Sequence, residues 1–290
     1  MSEQRWYLGT TGFSFPDWGR SFYPGSLGAA ARLGWYARQF NALELDTTFH
    51  AIPPRERASA WAAAVPQGFR FAAKAPKTLT HGELKLDGPV AKRTVPRLLK
   101  ALEPLGPKLA VVLLQFPPSF RFRRFAELES LLGGLPTGHC RYAVELRHAD
   151  WWHRQTAELF QELGIAWVTA DEADRSVAGL PPHRVPQGCY QPRSAPRTAD
   201  FLYLRWLGQH EQFPDLGREH LDPQPRLQWW YRQLSTTLAA QSAPGGVFGF
   251  FNNGFAGHAP ASCRRFMAMV RGEETAREAP VRQPGLFDRS

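Results

Sequence analysis

Glu44, Lys74, Gln115, Glu145 with Arg147, Asp171, Arg205 and Asn252 with Asn253 each stand where a short apolar or alternating run stops. Charges at the ends of buried segments need partners or work, because an unpaired buried charge is costly. Glu145 is a candidate general acid or base, and Arg147 can hold an anionic group through two parallel hydrogen bonds. The same two residues also read as a structural ion pair, since removing one partner of a buried pair costs roughly 3–5 kcal/mol. Glu44 is the candidate second acid/base partner or a metal ligand, with Asp46 about 7 Å further along the same strand face. Lys74, Arg147 and Arg205 are cations that call for counter-charge. The carboxylates supply part of it, and a phosphate or carboxylate substrate would supply the rest. His81, Gln115, Asn252 and Asn253 complete the candidate binding set, although lone amides also read as caps of loops and strand ends. Glu44, Asp46, Glu145 and Asp171 would suit Mg2+ or Mn2+. For zinc, His50, His81 and His148 lack a ligand spacing.

These residues can meet only if the elements that carry them converge. In Arg141–Trp152, Tyr142, Val144 and Leu146 alternate with Ala143, Glu145 and Arg147, the period of a strand. Further strands are expected at Trp6–Gly9, Ala42–Asp46, Phe69–Lys74, Ala166–Thr169 (running on to Asp171), Phe201–Arg205 and Val247–Phe251. Leu109–Gln115 is almost wholly apolar, as a strand buried on both faces must be. Helical spacing marks Gly28–Phe40, a helix from Pro53 through Trp61, Val90–Ala101 with an interruption near Pro96, Phe125–Leu132, a helix ending at Leu163, Pro225–Gln241 and Pro260–Val270. Thr47–His50 reads as a loop, and residues 173–199 show no convincing helix. The aromatic turn holding Phe13, Phe15, Trp18, Phe22 and Tyr23 either packs as a lid or stacks on a ligand, packing being the commoner case.

Eight strands alternating with helices imply parallel crossovers, so the expected fold is α/β, a (β/α)8 TIM-like barrel in a single domain over residues 5–270. Such barrels place their chemistry where the strands end. An open doubly wound sheet is the rival, but Gly9-Thr10-Thr11-Gly12 lacks its phosphate-binding fingerprint.

The chain has 290 residues and a formal net charge of +9, which suits anionic partners, nucleic acid among them. Cys140, Cys189 and Cys263 are odd in number and far apart, which argues against a disulfide framework and for a reducing compartment. No run is long enough to span a bilayer, so a soluble cytoplasmic protein with no membrane partner is expected.

Gly9-Thr-Thr-Gly12, Phe22-Tyr-Pro24, Leu43-Glu44, Thr48-Phe49, Gln115-Phe-Pro-Pro118, Val144-Glu-Leu-Arg-His148 with Trp151-Trp152, Tyr203-Leu-Arg205 and Phe251-Asn-Asn253 follow one another in order. Together they resemble the DUF72 (YecE-like) family over residues 5 to 270. That resemblance implies a TIM-like barrel and no established reaction. Asp46 and His50 stand where it leads one to expect Asn and Tyr. A His often found just before the Gly is absent from Arg205-Trp206-Leu207-Gly208. His50 or His81 are the substitutes at hand.

Residues 271–290 turn polar and charged and read as a flexible tail. Within it, Gln283-Pro-Gly-Leu286-Phe287 resembles the short motif by which bacterial repair and replication proteins dock on the sliding clamp, with Pro284 departing from the usual Leu. Three functions remain open. One is a hydrolase-type enzyme acting on a phosphate-bearing, nucleic-acid-like or other anionic substrate, with or without a divalent cation. The others are a carbohydrate-active hydrolase using Glu44 and Glu145, and a barrel that binds a ligand or DNA without catalysis.

Overall fold

The computed structural model describes residues 4–81, 86, 88–172, 195–208 and 213–273. The tail expected at 271–290, with Gln283, Leu286 and Phe287, lies outside the described residues beyond Glu273, as do Cys189 and most of 173–199.

Among the described residues, nine parallel strands form two arcs. The first is β2 (Ala42–Leu45), β3 (Arg70–Lys74), β4 (Leu109–Gln115), β5 (Arg141–Glu145) and β6 (Ala166–Trp167). The second runs β1 (Trp6–Thr10), β9 (Gly246–Phe251), β8 (Phe201–Trp206) and β7 (Thr169–Asp171). Together they make a TIM-like α/β barrel whose wall is not one continuous ladder. The strand expected at Ala166–Asp171 is split at Val168: its N–H donates to Val144 of the first arc, while β7 pairs with β8 of the second.

Side chains bridge the two seams. Between β1 and β2 the Tyr36 hydroxyl accepts from Thr10 N at 2.8 Å and donates to Ala42 O at 3.1 Å. Asn41 accepts from Leu8 N and donates to Trp6 O. Gly9 is required here, because a Cβ on it would lie 1.9 Å from Ala42 O. At the other seam Thr198 accepts from Trp167 N and donates to Ile165 O. The Thr10, Ala42, Trp167 and Ile165 groups among these are buried and would otherwise go unpaired, at a cost of about 1–3 kcal/mol each.

The period of two sorts the strands into two apolar layers. Leu43, Phe71, Val112, Leu114, Val144, Leu204, Trp206 and Phe251 belong to the large outer core, packed against helices such as Pro89–Leu102 and Ala259–Arg271. Ala42, Ala72, Val111, Leu113, Ala143, Ala166, Val168, Phe201, Tyr203, Phe248 and Phe250 form the interior. Alanines dominate the first arc and aromatics the second, so the bulky side fills the space the small side leaves.

Local departures from the expected elements have physical reasons. The chain at 28–40 is a 3-10 turn, Ala29–Ala31, then a short helix, Arg32–Tyr36, because it must turn back into β2 within a few residues. Thr47–His50 is one helical turn rather than a loop, held by Thr48, whose hydroxyl is within hydrogen-bond distance of both Leu45 O and Lys74 O. Pro96 sits inside an unbroken helix, Pro89–Leu102. The aromatic turn packs: Trp18, Phe22 and Tyr23 are buried in a ring cluster with Tyr36 and Phe40. Cys140 and Cys263 are free thiols. No helix among the described residues is long and apolar enough to cross a membrane.

Candidate functional site at the barrel mouth

The interior columns turn polar at the C-terminal ends of the strands. One inward step beyond Ala42, Ala72, Leu113, Ala143 and Tyr203 come Glu44, Lys74, Gln115, Glu145 and Arg205, all nearly inaccessible to solvent. Continuing the alternation brings in Arg147 after Glu145 and Glu172 after Ala170.

Arg205 is the hub. Its Nε and Nη2 donate to the two oxygens of Glu44 at 3.0 and 2.7 Å, a bidentate pair. Its Nη1 donates to Glu145 Oε2 at 2.6 Å and to Gln115 Oε1 at 3.1 Å. Tyr203, one inward step below, donates its hydroxyl to Glu44 Oε2 at 2.8 Å. Arg147 Nε donates to the other oxygen of Glu145 at 2.5 Å, and its Nη2 pairs with Glu172 at 2.9 Å. A second group adjoins. Lys74 Nζ donates to Asp46 at 3.2 Å and lies 3.9 Å from the centre of the Phe49 ring, which also makes a T-shaped contact with His81.

The electrostatics follow from burial and pairing. Burial pushes the Glu145 carboxyl up, but Arg147 and Arg205 outweigh it and hold it at about 2. Burial alone would favour a neutral Arg205, yet Glu44 and Glu145 hold it charged. Burial and then Glu44 push the Tyr203 phenol well above its usual value, so it serves as a donor. His81 is lowered to about 4 by burial, then by Lys74, Arg147 and Lys77, against an opposing effect of Glu145. It is therefore neutral at pH 7.

This geometry redistributes the roles expected from sequence. Glu145 is ionised across the neutral range, so it is not a general acid. Both oxygens of Glu44 are occupied by Arg205 and Tyr203, so it positions rather than reacts. Lys74, Arg147 and Arg205 need no substrate to balance them: Glu44, Asp46, Glu145 and Glu172 already do so. What remains open for a ligand is hydrogen bonding. Among the described residues Arg147 Nη1 has no acceptor, and Lys74 uses one of its three N–H groups.

Three candidates stand elsewhere. Asp171 faces outward, where Arg226 and Trp230 from the helix Gln224–Ala240 donate to its carboxylate. It clamps that helix to the barrel and does not meet Asp46. Asn253 accepts from Trp18 Nε1 and Ala259 N, while Asn252 donates to Thr11 and accepts from Gly254 N. Both amides act as caps, with Asn252 on the inward parity and Asn253 on the outward. Among the described residues no three His, Cys, Asp or Glu side chains are grouped to hold a metal ion.

Tyr203 and Glu172 were missed from sequence, yet strand parity marks both, Tyr203 two residues before Arg205 and Glu172 in phase with Ala166, Val168 and Ala170. The same parity puts Asp171 outside. Phe49 lies in the segment after β2 and carries no such signal.

Comparison with known proteins agrees with this architecture. The family model described as "Protein of unknown function DUF72" matches residues 7–284. The UPF0759 protein YunF of Bacillus subtilis is 25% identical over 91% of this chain and 94% of its own length. The UPF0759 protein YecE of Escherichia coli is 32% identical over 55% of this chain, and that match spans only 54% of YecE. Crystal structures of DUF72 family proteins superpose across most of the chain. The one from Thermotoga maritima is 26% identical with a TM-score of 0.69, covering 92% of this chain and 99% of its own. The one from Enterococcus faecalis is 23% identical with a TM-score of 0.66, covering 94% and 99%. With its barrel, its strand-end cluster and a family match over nearly its whole length, this chain belongs to the DUF72 family.

Proposed function

We propose that the barrel mouth is the active site of a hydrolase-type enzyme whose substrate carries a phosphate or similar anionic group. The observation that carries this reading is the setting of Arg147. Glu145 and Glu172 grip its Nε and Nη2, its side chain is 11% exposed, and its Nη1 edge has no acceptor among the described residues. A guanidinium fixed in this way loses little side-chain entropy on binding and presents the N–H groups of Nη1 to an oxyanion. Lys74, held by Asp46 and Phe49, is the second donor.

His81 is the group able to move a proton. It is neutral, and two of the causes that depress it are the cations that would hold the anion. A bound phosphate offsets Lys74 and Arg147, so His81 gains basicity only when substrate is present. The Gln115 amide lies 3.4 Å from the His81 Nε2, a long contact that an attacking water has to displace before it can give up its proton there. Glu44, Arg205, Glu145 and Tyr203 form the rigid base that fixes Arg147.

The carbohydrate-hydrolase reading needs one protonated carboxyl facing one free carboxylate. Glu145 is held ionised, and Glu44 spends both its oxygens on Arg205 and Tyr203 rather than on a ligand.

The experiment is turnover and binding across phosphate monoesters and diesters, including short oligonucleotides. Hydrolysis that is lost in His81→Asn while binding survives supports the proposal. Binding without turnover by the unaltered protein replaces it with the non-catalytic barrel. Absence of binding across the panel overturns the anionic reading.

A further inference from the structure

Hydrogen bonds at the mouth run in one direction through an amide whose orientation is dictated. Gln115, at the end of β4, is 4% exposed. Arg205 Nη1 lies 3.1 Å from its Oε1, and a guanidinium has only donors, so this atom must be the oxygen. The amide nitrogen is thereby turned to the other side, where it lies 3.4 Å from His81 Nε2. An amide NH2 cannot accept, so Nε2 must be the bare, accepting nitrogen. The imidazole proton is left on Nδ1, which lies 2.8 Å from the Thr80 hydroxyl oxygen.

We infer that Gln115 is a positioning residue that holds His81 in its Nδ1–H form, with Nε2 as the acceptor. The order Arg205, Gln115, His81, Thr80 transmits the orientation of the buried hub to the His81 ring. Turning the amide over would set the guanidinium against an NH2 group, donor against donor. Arg205 in turn is fixed by Glu44 and Glu145. The charged groups acting on His81 are Lys74 from β3, Lys77 from the turn after it, and Glu145 and Arg147 from β5 and the residues following it. These groups set how readily His81 takes a second proton, whereas Gln115 and Thr80 set which nitrogen carries the first.

The inference rests on the role proposed for His81, yet it is tested in the ligand-free protein. Long-range 1H–15N correlation spectra of the full chain at pH 7, with His81→Gln to identify the signal, report the protonated nitrogen directly. The expected result is Nδ1–H. Gln115→Glu replaces the donor by a carboxylate beside Nε2 and should move the proton to Nε2. Thr80→Val, on the opposite side, removes the hydroxyl without touching the hub and should weaken the preference for Nδ1–H. An Nε2–H form in the unaltered protein overturns the inference, as does a spectrum indifferent to both substitutions. Correct tautomer with no phosphate binding would sink the proposed function alone. Phosphate turnover with the proton on Nε2 would sink the role of Gln115 alone.

Discussion

Replacing Arg205 by Met removes four hydrogen bonds and the charge between two buried carboxylates. Met fills a similar volume, so the change is electrostatic more than steric. Glu44 is left with Tyr203, and Glu145 with Arg147. Breaking a buried pair in this way costs about 3–5 kcal/mol, a large share of a domain's usual ~5–15 kcal/mol. The pH dependence gives an independent measure. Glu145 is depressed from 4.5 to about 2, so in the unaltered protein it contributes on the order of 3 kcal/mol at neutral pH. Because the folded value is the lower one, that contribution is complete above about pH 4.5 and is lost as pH falls toward 2. Urea unfolding from pH 7 to pH 3 should therefore show Arg205→Met weakest relative to the parent at pH 7, the gap narrowing in acid. A cost below about 1 kcal/mol at pH 7, the range of an exposed pair, would refute the hub. So would a gap independent of pH.

Tyr36→Phe deletes the hydroxyl that joins β1 to β2 and should cost about 1–3 kcal/mol in the same unfolding assay, since Thr10 N and Ala42 O lose a partner. Asp171→Asn should lower stability by several kcal/mol through its clamp with Arg226, while leaving phosphate affinity at the mouth within twofold by calorimetry. Arg147→Met should weaken phosphate binding by roughly 10- to 100-fold, the worth of a charge-assisted hydrogen bond. A peptide spanning Arg282 to Ser290 should bind a bacterial sliding clamp in a pull-down or polarisation assay; silence at high micromolar concentration would reject that docking motif.

Much of the barrel is written in strand periodicity. Leu109–Gln115 reads as a strand buried on both sides and is one, and the polar residues closing most of the runs mark the mouth. Parity, when followed past the apolar residues, even separates Glu172 from Asp171. What periodicity does not carry is partnership across the chain. Nothing near Asp171 announces Arg226, 55 residues on, and nothing near Glu44 announces Arg205, 161 residues on. The count of cations was legible, but the degree to which carboxylates already balance them depends on Asp46 and Glu172 pointing inward. The seams were hidden for a related reason. Tyr36, Asn41 and Thr198 replace ladder hydrogen bonds from outside the strands, and such substitutions leave no mark on alternation.

The proposal stands most directly on one titration. The His81 ring signal is followed by NMR against pH, first in phosphate-free buffer and then with inorganic phosphate in excess. Without phosphate the midpoint should lie near 4. With phosphate on Lys74 and Arg147 it should rise toward the ordinary 6.5, and in Arg147→Met the rise should shrink. A midpoint that phosphate leaves unmoved would contradict an anion site at this mouth.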